Sequence, residues 1–100
     1  MKTNVVVFMG SLLLLSACSA PDTEGMKQGL LSNGMTPSQA ACYANNLKGI
    51  IGVDEYNNLA ELMLNGADKA EAIKKTRRKF GAEFKTAMTA NSDSLDSCLN

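Results

Sequence analysis

Beyond residue 25, apolar side chains recur three and four positions apart in short stretches, separated by pairs of turn-forming residues. Met26, Leu30 and Leu31 lie at helical spacing, and Asn33-Gly34 stops them in the manner of a left-handed cap. Thr36-Pro37-Ser38-Gln39 predicts a new helix: Thr as N-cap, Pro at the first helical position, and Gln placed to close a capping box. That helix carries Ala40, Tyr43, Ala44, Leu47, Ile50 and Ile51 on one face. Cys42 falls about 140° from the centre of this face, on its flank. Gly49 and Gly52 loosen the end of the segment. Asp54 is expected to cap a third helix bearing Tyr56, Leu59, Ala60, Leu62, Met63 and Leu64, closed by Asn65-Gly66.

Asp68-Lys69-Ala70-Glu71 reads as a second capping-box start. The last helix is expected to run on through Gly81, with Ala70, Ile73, Phe80, Phe84 and Ala87 or Met88 on its buried stripe. A glycine inside such a helix costs about 1 kcal/mol relative to alanine, which implies a close crossing or a bend there. Residues 91–100 are polar up to Leu95, Cys98 and Leu99. No stretch after Val7 alternates with period two for long enough to make a strand. The expected fold is all-α: three main helices plus a short N-terminal one, over residues 25–100.

The start of the chain follows a different pattern. Met1-Lys2-Thr3-Asn4 is short and basic, and Val5 to Leu15 is apolar except for Gly10 and Ser11. Those eleven residues would make about 16 Å of helix, too short for a hydrocarbon core of about 30 Å. The pattern is that of a secretory signal peptide. Leu15-Ser16-Ala17-Cys18 resembles the lipobox of bacterial lipoproteins: a leucine, two small residues and a cysteine at the end of the apolar stretch. The resemblance covers residues 1–18. It implies removal of residues 1–17, acylation of Cys18 as the mature first residue, and a lipid-anchored protein rather than a spanning one. In enteric-type sorting an Asp after the lipidated cysteine retains a lipoprotein in the inner membrane. Ser19 therefore implies the periplasmic face of the outer membrane, or the outer face of the plasma membrane in a single-membrane source. Residues 18–24 are expected to form the acylated cysteine and a short tether, which holds the domain close to the bilayer.

With Cys18 acylated, two cysteines remain, Cys42 and Cys98. An exported chain with an even remainder points to one structural disulfide between them. A redox or metal-binding pair is the rival, without CxxC spacing or any histidine to support it. A second resemblance runs over Gly34-Met35-Thr36-Pro37-Ser38-Gln39-Ala40-Ala41-Cys42. It is similar to the start of small secreted helical domains in which such a segment is paired with a late cysteine, and it implies the same fold and bridge.

Composition narrows the function classes. Ten Lys/Arg balance ten Asp/Glu and aromatics are 5% of the chain, so neither a global basic excess nor a base-stacking surface points to nucleic acid. Histidine is absent, which removes His-dependent acid–base chemistry and the usual zinc sites. No metal or cofactor is expected. Asp54 and Glu55 are adjacent and diverge on a helix, no serine sits in a nucleophile elbow, and no glycine-rich stretch resembles a phosphate loop. Tyr43 and Tyr56 lie on core-facing stripes. Met26, Met35, Met63 and Met88 suit either gap filling or an adaptable apolar groove.

The visible polar feature is Lys74, Lys75, Arg77, Arg78 and Lys79. Helical angles spread these charges round the outer half of the helix, and Glu71–Lys75 and Lys79–Glu83 are spaced as i,i+4 pairs. A solvated face, docking of a protein partner and contact with anionic lipid headgroups all fit the cluster. The expected function is that of a non-enzymatic accessory or interaction module with an envelope protein as partner. A binder of a small apolar ligand between the helices, or an inhibitor or immunity-type protein, is the alternative.

Overall fold

The computed structural model describes residues 20–100, which form six α-helices and a closing 3-10 turn, with no strand among the described residues. They are α1 (Thr23–Ser32), α2 (Pro37–Lys48), α3 (Val53–Leu64), α4 (Lys69–Phe80), α5 (Ala82–Ala90) and α6 (Ser92–Asp96), with the 3-10 turn at Ser97–Leu99. The all-α expectation is met, with more helices than expected. The signal segment, the lipobox and Ser19 lie outside the described residues.

α1–α2 and α3–α4 are two hairpins made with the same local chemistry. Each first helix ends in an Asn-Gly pair whose glycine takes positive φ, 94° at Gly34 and 108° at Gly66. In both, the two residues after the cap bond back to the last turn. Gly34 N–H donates to Leu31 O at 3.0 Å and Met35 N–H to Leu30 O at 3.2 Å. Gly66 N–H donates to Met63 O at 3.1 Å and Ala67 N–H to Leu62 O at 3.0 Å. These are Schellman closures, and they satisfy carbonyls that the helix end would leave unpaired. The second helix of each hairpin then starts from a side-chain cap. Thr36 and Gln39 form the full capping box, while the Asp68 carboxylate accepts from the Glu71 N–H.

The core joins the hairpins through their first helices. Met26, Gly29 and Leu30 of α1 are buried, as are Tyr56, Leu59, Ala60 and Met63 of α3. A Cβ placed on Gly29 would lie 2.8 Å from the Met63 Cβ, so the glycine is what lets the two helices approach. α1 is thus no minor appendage: its ten residues form one side of the central pair. α2 adds Ala40, Tyr43, Ala44 and Leu47, and the Tyr56 hydroxyl donates to the Ala44 carbonyl at 2.9 Å. α6 and the closing turn return to α2, burying Leu95 and Cys98 there.

Four expectations are corrected. α3 starts two residues early, at Val53 with Gly52 as N-cap, so Asp54 does not cap it; Asp54 and Glu55 sit in the first turn, where the helix dipole favours acids. The last helix does not continue through Gly81. That residue has φ 89° and ψ −157°, incompatible with helix, and it separates α4 from α5. On α4 the buried residues are Ala72 and Thr76, while Ala70 is exposed. Thr76 can face inward because its hydroxyl donates to Ala72 O at 2.8 Å and accepts from the Asn58 side chain at 3.0 Å. Leu64, placed with the apolar face of α3, is 50% exposed at the helix end.

Candidate functional site

Two surfaces draw attention, and α4 contributes to both. Its basic side chains Lys74, Lys75, Arg77, Arg78 and Lys79 are all exposed. Lys75 approaches Glu71 at 3.8 Å, one turn earlier on the same helix. The expected Lys79–Glu83 pair does not form, because the helix that would align them ends at Gly81. Lys79 turns toward α3 instead, with its Nζ 3.5 Å from Asn58 Oδ1 and 5.5 Å from the centre of the Phe80 ring. The five cations therefore divide: Lys79 belongs to the α3–α4 seam, and the other four point away from it.

That seam opens into a shallow cleft of about 360 Å³ lined by Asp54, Asn57, Asn58, Glu61, Lys79 and Phe80. Its two asparagines have work to do. Asn58 holds Thr76 across the seam. Asn57 holds the beginning of the domain: its Oδ1 accepts from the Asp22 N–H at 2.7 Å and its Nδ2 donates to the Ala20 carbonyl at 3.1 Å. Asp22 in turn caps α1, accepting from the Gly25 N–H at 2.9 Å. Thr23 and Glu24, read as tether, are helical and belong to the folded domain. These asparagines were not singled out in the sequence. The available signal was two adjacent asparagines in the first half of a helix, a residue that disfavours helix interiors unless its side chain is occupied.

The second surface is the tail on α2. Cys42 and Cys98 form a disulfide with Cα atoms 5.6 Å apart. Around it, the Asn46 side chain lies 3.4 Å from Ser94 O and 3.3 Å from Cys98 Sγ, and Gln39 Nε2 donates to Leu99 O at 3.3 Å. Tyr43, next to Cys42 on α2, is buried. Burial, and then the nearby Asp96 carboxylate, push its phenol up to about 12. Burial also raises Tyr56. Both tyrosines are packing residues held neutral, and Lys69 lies 5.0 Å over the Tyr43 ring.

Met26 and Met63 fill the core, while Met35 and Met88 pack half-buried against it. No group of three His, Cys, Asp or Glu side chains is arranged to hold a metal ion among the described residues. No helix among them is long and apolar enough to cross a membrane. Comparison with known protein families, with characterised proteins and with solved structures finds no match to this chain.

Proposed function

We propose that this chain is a bacterial lipoprotein anchored through Cys18, whose small helical domain serves without catalysis as an accessory or interaction module at the membrane surface. Ser19 after that cysteine favours the periplasmic face of the outer membrane, or the outer face of the plasma membrane in a single-membrane source. The observation that carries this reading is the hold of Asn57 on Ala20 and Asp22. It leaves a single residue, Ser19, between Ala20 and Cys18, two peptide steps that span at most about 7 Å when extended. A domain fastened so short is built to act beside its anchor. Its ionisable groups support the non-catalytic part of the reading: Asp22 and Asp68 cap helices, Glu71 pairs with Lys75, and the Tyr56 hydroxyl is bonded to backbone.

In-cell cross-linking of the acylated protein, with identification of captured proteins by mass spectrometry, tests the module. One envelope protein mapping repeatedly to a single face of the domain is the expected result. Capture of abundant neighbours alone, without a preferred face, counts against it. The anchor is tested separately: Cys18→Ala should abolish the acyl mass and release the protein from the membrane fraction. Retention that still requires detergent to reverse would refute the lipobox.

A further inference from the structure

Charge is distributed very unevenly over the domain. α4 carries six basic side chains, Lys69, Lys74, Lys75, Arg77, Arg78 and Lys79, with one acid, Glu71. Over the rest of residues 20–100, nine acids stand against three bases. Inward-facing Thr76 fixes the orientation of the helix. At 100° per residue, Lys74 and Arg78 lie about 160° away from it, so they face directly outward. On this outward face Ala70 is the sole apolar side chain among the cations.

The same helix ends at the anchored end of the domain. Lys79 and Phe80 line the cleft with Asn57, and Asn57 holds Ala20. The C-terminal turn of α4, with Arg77 and Arg78, is therefore close to the point from which the chain leaves toward Cys18.

We propose that the outward face of α4, formed by Lys74, Lys75, Arg77 and Arg78, is a contact surface for anionic phospholipid headgroups, laid against the leaflet that holds the acyl anchor. This rests on the Cys18 reading above. Charge and position both favour a lipid surface over a protein. A specific protein interface concentrates its energy in buried aromatic or aliphatic anchors, which this face does not offer. A fluid anionic surface demands charge without shape, and the covalent anchor keeps it within reach. Each Lys or Arg near such a surface strengthens the attraction by roughly fivefold. Lys75 contributes less than Lys74, Arg77 and Arg78 because Glu71 shares its field. The contact would act as a second signal beside the acyl chains, orienting the domain as well as retaining it.

The test uses the full acylated protein incorporated into vesicles of zwitterionic lipid alone, or with about one third anionic lipid, at low salt. Lysine acetylation rates are read residue by residue. Lys74 should be protected at least about fivefold in the anionic vesicles, with Lys48 unchanged and the protection lost in about 0.5 M NaCl. The variant K74Q/R77Q/R78Q should be acetylated at Lys75 equally in both vesicles. Equal Lys74 rates in the two vesicle types would overturn the proposal, as would equal protection of Lys48. Flotation with zwitterionic vesicles reports the anchor independently. A chain that failed to float there would refute acylation, and the α4 surface would then stand or fall on flotation with the anionic vesicles alone.

Discussion

Counted from their Asn-Gly pairs, the two hairpins keep the same register and spend it differently. Asn33, Gly34, Ala40, Ala44 and Gly49 stand where Asn65, Gly66, Ala72, Thr76 and Gly81 stand in the second hairpin, 32 residues on. The inward positions correspond: Ala40 and Ala44 are buried on α2, Ala72 and Thr76 on α4. The outward positions do not. Cys42 and Asn46, which hold the C-terminal tail onto α2, correspond to Lys74 and Arg78, which are exposed and have no hydrogen-bond or salt-bridge partner among the described residues. One helix frame thus has its outer face covered by its own chain, and the other, among the described residues, leaves the same face uncovered and charged. The lesson is that the frame is set by caps and small inward residues, while the outward face is free to be assigned a task.

The largest test of this contrast removes the cover. Reducing the Cys42–Cys98 bridge or replacing both cysteines by alanine should cost up to about 4 kcal/mol, the chain-entropy value for a loop of roughly 57 residues. Urea unfolding of the two forms measures it. Two thiols that alkylate in the untreated protein would show that the bridge does not form.

Next comes the joint between the hairpins. In an exposed helix Gly→Ala stabilises by about 1 kcal/mol. At Gly29 the new methyl meets the Met63 Cβ, so Gly29→Ala should instead destabilise by about 1–3 kcal/mol. A thermal midpoint that rises in this variant would contradict the close crossing of α1 and α3.

The two asparagine caps should then separate the hairpins more finely. The Asn33 side chain donates to Gly29 O at 3.0 Å and accepts from the Lys69 N–H at 2.7 Å, tying the end of α1 to the start of α4. Asn33→Ala should cost about 1–2 kcal/mol. Asn65→Ala, at the matching position, should cost a few tenths of that, about 0.5 kcal/mol or less. Equal losses would mean that Asn33 serves as a cap alone.

A last effect appears only in alkali. Because the Tyr43 phenol is raised from 10.0 to about 12 by folding, the neutral form is favoured in the folded state. Its contribution to stability is complete below pH 10 and is lost as the pH climbs from 10 toward 12. Tyr43→Phe should flatten that part of a stability–pH curve. An unchanged slope would show that Tyr43 ionises as readily in the folded chain as in the unfolded one.

Much of the frame was legible because it is local. Thr36, Gln39, Asp68 and the Asn-Gly pairs act on their own helix ends, and the sequence states them directly. The disulfide followed from cysteine count and compartment. What escaped depends on neighbours far away in the chain. Gly25 and Gly29 make α1 look like a weak, short helix, and only contact with Met63 explains why Gly29 is there. Gly81 inside an otherwise helical pattern reads as a close crossing or a bend until its positive φ shows a break. Thr76 reads as polar and outward, yet its hydroxyl is satisfied by Ala72 and Asn58. Of the candidate surface, the cations were visible and their division was not, because Lys79 is drawn aside by an asparagine 21 residues earlier.

The grip of Asn57 on Ala20 and Asp22 also governs how the domain can meet anything. The volume that a flexible leash lets a domain explore grows steeply with its length. Under the proposed Cys18 anchor, Ser19 alone separates the lipid from Ala20, so the domain would explore almost none of that volume. On that proposal, a partner would reach it by sliding within the plane of the membrane and would meet it at nearly the same height. Lengthening the chain between Cys18 and Ala20 would trade that fixed height for reach.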